Sequence, residues 1–222
     1  MGRALRRRQV LLVVAGAVLA PVRAARAYGL DEVSRRVPDE RIVYCPKLDF
    51  VSYRGTYMRY SKRAEVYVEF RERLELFEQL AVRVGAEFYG RGPSTLVHIG
   101  TRLCRRARKH RDHFSEHAFG NALDFVGFDF SRLDPDRSLP EGTHAAFRNF
   151  FSVRVGRDWK PQPGIAGIHS RFLRALMRRL IAREDIFRVI LGPSHPGHSQ
   201  HFHFDCAPER AIDVFGDEHR AG

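Results

Sequence analysis

The sequence has 222 residues and a formal net charge of +12. Residues 1–27 contribute six arginines and no acidic residue, so the remaining 195 residues carry a formal charge of +6. That length favours one domain over several, and the basic excess suits a polyanionic cell wall or an anionic lipid surface as partner.

The amino-terminal segment has the three parts of a secretory signal peptide. Four arginines precede the apolar stretch Val10–Val22, and Ala25–Ala27 resembles a cleavage site. The apolar stretch has about 13 residues and is too short to span a bilayer, so an uncleaved membrane anchor is the less favoured alternative. We predict a signal peptide over residues 1–27, one domain over residues 28–222, and a periplasmic or secreted location. Export makes nucleic acid the least favoured partner.

Apolar periodicity predicts two amphipathic helices. The first runs from Ala64 through Ala81, with Gly85 where a C-terminal cap is expected. The second has Ser170 as its N-cap and extends to Ile181. We therefore predict an α+β fold, in which these helices flank a small, mostly antiparallel sheet. The predicted strands lie at 95–100, from 122 onwards, at 186–191 and at 201–205.

The stretch from Arg102 to Arg111 contains six lysines or arginines in ten residues. One interpretation is a solvated basic loop, because charge runs of this kind rarely adopt regular structure. The other is recognition of substrate carboxylates, since the planar guanidinium offers a bidentate fork that lysine lacks. Arg102 and Arg105 are both candidates for that role, and the sequence does not choose between them.

Two stretches carry metal-ligand side chains at fixed spacing, Ser115–Asp124 and His198–Asp205. Residues i and i+2 of a strand share a face. His201, His203 and Asp205 should therefore point one way, with the intervening phenylalanines in the core.

In the first of these stretches, Gly120 permits a tight turn that would bring His117 and Asp124 to one ion. Two imidazoles and a carboxylate suit zinc, and three protein ligands leave a fourth position for water, as hydrolysis requires. We predict His117, Asp124 and His203 as the zinc ligands. His198 and His201 would lie beside the metal and handle protons.

The motif Ser-x-His-x-x-Gly-x-Ala-x-Asp followed by a late His-x-His resembles the LAS metallopeptidases, which include D-Ala-D-Ala carboxypeptidases, dipeptidases and murein endopeptidases. A closer resemblance is to bacterial extensin-like C-terminal domains, and it covers roughly residues 45–206. The resemblance implies the same three zinc ligands and peptidoglycan peptides, or another cell-wall polymer, as the partner. Further segments that resemble the extensin-like group are 99–106, 124–128, 157–159, 172–174 and 189–193.

One position departs from the carboxypeptidase pattern. Those members have a glutamate as general base three residues before the last ligand, and this chain has Gln200 there. The murein endopeptidase branch lacks that glutamate and has a His-x-x-His-x-His arrangement instead, which His198, His201 and His203 match. A histidine base is therefore possible, because imidazole titrates near neutral pH.

Two hypotheses follow. The first is an exported zinc peptidase that hydrolyses amide bonds in peptidoglycan peptides; the second is a catalytically weak or inactive zinc-stabilised module that binds the wall or a protein partner.

The chain has three cysteines, Cys45, Cys104 and Cys206, and spacing alone does not fix their pairing. The resemblance to the extensin-like group implies a Cys45–Cys104 disulfide, and three buried thiols are the alternative.

Overall fold

The computed structural model describes residues 28–38, 43–108 and 110–216. The predicted signal peptide lies outside these described residues. The strands are β1 (Phe50–Tyr53), β2 (Arg59–Tyr60), β3 (Ala64–Tyr67), β4 (Thr95–Gly100), β5 (Ala122–Phe130), β6 (Phe151–Arg154), β7 (Val189–Leu191), β8 (Phe202–Asp205) and β9 (Ala211–Asp213). The helices are α1 (Val68–Tyr89), α2 (Val155–Asp158) and α3 (Gly164–Ile181), and 3₁₀ turns lie at Glu116–Phe119 and Ala145–Arg148.

The main sheet is built around β5. Its strand order is β2–β4–β5–β8–β7–β9, and β6 pairs with the second half of β5. Among the strands described, β2–β4 and β7–β9 are parallel, whereas the other pairs are antiparallel. The chain is thus α+β, as predicted. Strands β1 and β3 form a separate hairpin that leads into α1.

Both long helices pack on the sheet face that carries the phenylalanines of β5 and β8. Phe77 of α1 has its ring centroid 5.7 Å from that of Phe125 and 5.3 Å from that of Phe204. Phe172 of α3 lies 6.0 Å from Phe128. All five rings are fully buried, and each aromatic pair contributes about 0.5–1.5 kcal/mol beyond the area it buries. Residues that alternate with these phenylalanines face the other side of the sheet.

The boundaries of α1 differ from the prediction. Residues 64–67 form β3, and the helix begins at Val68. Gly85 lies inside the helix, which ends at Gly90 in the left-handed conformation. A Cβ on Gly85 would lie 3.0 Å from the Arg91 carbonyl oxygen and 3.1 Å from Pro93. The glycine therefore permits close approach of the chain that follows the helix, and this contact is invisible in a local pattern.

The start of α3 also differs from the prediction. The helix begins at Gly164, and Ser170 lies within it. The Ser170 hydroxyl donates to the carbonyl oxygen of Trp159 (3.1 Å), so it fastens the helix to the preceding segment. Among the residues described, no helix is both long and apolar enough to cross a membrane.

The Cys45–Cys104 disulfide is present, with a Cα–Cα distance of 5.7 Å, and Cys206 is a buried free thiol. The bridge ties the segment before β1 to the loop after β4. The pairing implied by the resemblance is confirmed.

Candidate metal centre

Strand pairing brings Asp124 and His203 together. In the antiparallel register of β5 and β8 they are directly opposite each other. Both lie on the sheet face away from the helices, since Phe125 and the phenylalanines flanking His203 occupy the buried face. The Asp124 Oδ1 and His203 Nδ1 atoms are 2.9 Å apart. The alternation expected from the sequence therefore holds on both strands.

His117 reaches the same point from the 3₁₀ turn before β5. Gly120 closes that turn with a φ of 61°, and its amide donates to the His117 carbonyl oxygen (3.1 Å). A Cβ on Gly120 would lie 2.9 Å from the Tyr67 backbone nitrogen, so both the conformation and the space favour glycine. The turn places His117 Nε2 3.2 Å from Asp124 Oδ1. The predicted convergence of these two side chains is present.

A second set of partners orients each imidazole. His117 Nδ1 donates to the Thr101 carbonyl oxygen, at 2.5 Å. His203 Nε2 lies 2.8 Å from Asp205 Oδ2. Such outer partners fix the tautomer of a ligating histidine. Asp205 was predicted to share the face of His203, whereas nothing in the sequence indicates the Thr101 carbonyl.

The donor set fits a cation. Because a carbonyl oxygen only accepts hydrogen bonds, the proton of neutral His117 resides on Nδ1, and the Nε2 lone pair then faces a carboxylate. Two acceptors in contact need a proton or a metal ion between them. Tetrahedral zinc with bonds of about 2.0–2.1 Å separates its ligand atoms by roughly 3.3 Å. The Asp124 oxygen lies 3.2 Å from the His117 nitrogen and 2.9 Å from the His203 nitrogen. All three ligand atoms lie within 4.8 Å of one another.

The pKa shifts of Asp124 and His203 are also in keeping with a cation site. Burial would raise the pKa of Asp124, but its contacts with the imidazoles of His117 and His203 outweigh burial and hold that pKa well below its ordinary value. Burial also favours neutral His203, yet hydrogen bonds to Asp124 and Asp205 raise its pKa from 6.5 to about 9. In the metal-free protein, His203 is therefore protonated beside the ionised Asp124 at neutral pH, and a metal ion would replace that proton.

An open cleft of about 780 Å³ lies over this cluster. Asp124 and His203 contribute to its floor, and His198 and His201 to its wall. Within the described residues, neither of these wall histidines brings a nitrogen within 4.8 Å of all three ligand atoms. A structural zinc site normally has four protein ligands, whereas a three-ligand set leaves a position open.

The two wall histidines lie close to the cluster. His201 Nε2 is 3.8 Å from Asp124 Oδ1, and the His198 ring lies 4.9 Å from that of His201 and 5.9 Å from that of His203. Burial, followed by repulsion from neighbouring imidazoles, lowers the pKa of His198 to about 4. Burial is also the main cause of the lowered pKa of His201. Both rings are therefore neutral near pH 7 and can accept a proton.

The structure separates the two arginine candidates. Arg102 pairs with Glu65 (3.0 Å) and stacks 3.9 Å over the Phe50 ring, and it is not among the cleft-lining residues. Arg105 lines the cleft. Its pKa is lowered by burial and by the neighbouring Arg108. Of the two, Arg105 is placed to meet a ligand above the metal cluster.

Gln200 points away from the reaction space. Its side-chain oxygen would lie 1.9 Å from a Cβ built on Gly156, so it packs against the helical turn of α2. It does not line the cleft, which His201 does. Gln200, which sequence alone compares with a glutamate base, is therefore an exposed residue that contacts α2.

Sequence reasoning missed a second histidine–carboxylate pair in the cleft wall. His195 Nδ1 lies 2.7 Å from Asp213 Oδ2, and Ser194 donates to the other oxygen of Asp213 (2.8 Å). The His195 ring lies 5.1 Å from that of His198. No local motif links residues 18 positions apart; the parallel pairing of β7 and β9 brings them together.

Comparisons with known proteins give one family. A family model described as "Extensin-like protein C-terminus" matches residues 25–138, slightly more than half of the chain. The matched region contains His117, Asp124 and both disulfide cysteines, and it ends before His203. Neither the curated proteins nor the solved structures give a match.

Proposed function

We propose that this chain, which belongs to the extensin-like protein C-terminus family, is an exported zinc-dependent peptidase acting on amide bonds of peptidoglycan peptides. The observation that carries the proposal is a cluster of three ligand atoms, two of whose residues, Asp124 and His203, line an open cleft. The choice of substrate is supported by the resemblance of the motifs to LAS metallopeptidases and by the basic charge of the chain.

His117, Asp124 and His203 would hold the ion. When bound, zinc supplies activation of water and polarisation of the scissile carbonyl. Asp205 fixes the ring of His203 through Nε2, and the Thr101 carbonyl fixes that of His117 through Nδ1. These contacts keep the ligating nitrogens directed at one point.

His201 and His198 are the proton-handling groups. His201 lies nearer to the cluster, with Nε2 3.8 Å from Asp124 Oδ1. We assign it the acceptance of a proton from the attacking water, and we assign proton return to the leaving amine to the His198–His201 pair. Arg105, on the cleft wall, would pair with a carboxylate of the peptide and set its register.

A second candidate function is a zinc-stabilised binding module without efficient catalysis. The specific observation in its favour is Gln200, which packs against Gly156 where a glutamate base would be expected.

Digestion of purified peptidoglycan distinguishes the zinc peptidase from the binding module. The zinc-loaded protein, with and without a chelator, is incubated with wall material, and released peptides are measured by mass spectrometry. We expect chelator-sensitive products from the parent and none from Asp124→Asn. His201→Gln should retain zinc but lose about 10²–10⁴-fold in rate. The matched control is Arg132→Gln, an exposed residue outside the cleft, which should behave as the parent.

Absence of chelator-sensitive product from every wall type, together with retained zinc and retained wall binding, would favour the binding module.

A further inference from the structure

A second cavity adjoins the metal cleft. It measures about 450 Å³ and is lined by Val43, Cys104 and four arginines, Arg105, Arg106, Arg108 and Arg111. We call it the arginine hollow. Arg105 and Arg108 line both cavities, so the hollow continues from the cleft wall.

The loop that carries these arginines is fastened at several points. The disulfide joins Cys104 to Cys45. The Leu103 amide donates to the His117 carbonyl oxygen (3.0 Å), and the Ser115 amide donates to that of Arg105 (3.1 Å). The Arg106 guanidinium donates a hydrogen bond to the Arg111 carbonyl oxygen (2.9 Å), which links two parts of the loop. The loop is therefore fixed in place, although its described residues form no helix or strand and Arg102, Arg108 and Arg111 on it are exposed.

Three arginines of the hollow carry charge that no direct ion pair offsets among the described residues, although Asp124 attracts Arg105 from the adjoining cleft. Elsewhere in the described chain, nine arginines form ion pairs with carboxylates. Within the same described residues, Arg105, Arg108 and Arg111 form none. Burial and the proximity of Arg108 both lower the pKa of Arg105. Like charges are thus held together on a fixed loop, an arrangement that an anion would relieve.

We propose that the arginine hollow binds an oxyanion, a phosphate or carboxylate group, of an extended negatively charged ligand that also reaches the metal cleft. The guanidinium fork matches both groups bidentately. Because two of the arginines line both cavities, a ligand with successive anionic groups would contact the hollow and the cleft at once. The inference rests on the loop geometry and extends the proposed function without depending on it.

Calorimetric titration of two probes into the zinc-free protein tests this proposal at fixed ionic strength. Tripolyphosphate represents phosphate sources and citrate represents carboxylate sources. We expect at least one to bind, and the preferred probe identifies the class of anion. Arg111→Gln, a change outside the metal cleft, should weaken binding about tenfold, and Arg108→Gln by a similar factor. Arg132→Gln removes the same charge from a distant exposed position and should bind as the parent does.

No binding of either probe by the folded parent would overturn the proposal. Equal weakening by Arg132→Gln and Arg111→Gln would also overturn it, because the attraction would then come from overall charge. Thermal unfolding of each variant verifies that it is folded. Since the titration omits zinc and wall substrate, a failed digestion assay with intact anion binding would count against the peptidase alone.

Discussion

The metal cluster and the arginine hollow are adjacent, but they differ in the charge of the ligand that each is proposed to bind. In the cluster, Asp124, His203 and Asp205 converge from the paired strands β5 and β8, and His117 joins them from the 3₁₀ turn before β5. In the hollow, guanidinium groups converge from an irregular loop, and Arg105, Arg108 and Arg111 form no ion pair with a carboxylate among the described residues. The first region needs a cation and the second an anion. On the two proposals together, the cleft would bind a ligand through a metal at one end and through arginines at the other.

The largest effect is expected from removing a proposed metal ligand, which should lower the affinity for zinc. Asp124→Asn removes the one ligand that contacts both histidines. We expect zinc affinity to fall by more than the roughly 10–100-fold that loss of an outer partner costs. Zinc content after dialysis against a weak chelator measures it. Glu209→Gln, a loss of negative charge in the same cleft wall, is the matched control. Equal zinc retention by Asp124→Asn and the parent would contradict the site.

Removing the disulfide tests whether the two regions are independent. Cys45→Ser opens a bridge between residues 59 positions apart, and such a loss costs about 2–4 kcal/mol of unfolding free energy. The bridge anchors the arginine loop, whereas Asp124 and His203, the proposed zinc ligands on β5 and β8, are held by the sheet. We therefore expect weaker anion binding with unchanged zinc affinity, measured on the folded variant by calorimetry. Cys206→Ala, which keeps the bridge, is the control. A parallel loss of zinc affinity would show that the regions are coupled.

The sequence predicted the cluster better than the hollow, for a physical reason. Strand alternation and the spacing from His117 to Asp124 are local, and the resemblance of the late His-x-His motif added His203, so all three could be assigned before the fold was known. The choice between Arg102 and Arg105 depends on Glu65 and Phe50, which engage Arg102 from distant positions.

The errors in helix boundaries have the same origin. Gly85 and Ser170 both match terminal patterns, yet each serves a tertiary contact inside a helix. The partners are the chain that follows α1 in one case and the Trp159 carbonyl in the other. A local sequence pattern does not distinguish a glycine or serine at the end of a helix from one that makes a tertiary contact inside it.

Asp205→Asn tests whether Asp205 orients His203 or binds the metal itself. The amide keeps the shape of the side chain but removes the charge facing His203 Nε2 at 2.8 Å. Loss of such an outer partner typically costs about 10–100-fold in metal affinity, so the effect should be clearly smaller than that of Asp124→Asn. Competition with a chromogenic chelator measures both variants on one scale. Equal losses in the two variants would mean that Asp205 acts as a ligand itself.

The smallest effect provides a reference from outside both regions. His169 of α3 is buried, its Nδ1 lies 2.9 Å from the Tyr89 hydroxyl, and it stacks on Phe151. Burial lowers its pKa below the ordinary 6.5. The unfolded chain then binds a proton more readily than the native one, so the stability contributed by neutral His169 is complete above about pH 6.5 and declines as pH falls below it.

His169→Gln retains a polar partner for Tyr89 but cannot titrate. The difference in unfolding free energy between parent and variant should therefore shrink from pH 7.5 to pH 5.5, measured by urea unfolding without metal. His203 has a raised pKa, and it therefore stabilises the metal-free protein at lower pH. This contribution is the same in parent and variant, so it cancels in the difference between their unfolding free energies. A difference that stays constant between the two pH values would mean that the His169 ring takes up a proton without leaving its packed position. The pH response of the fold would then have to come from other groups, among them His98 and the metal cluster.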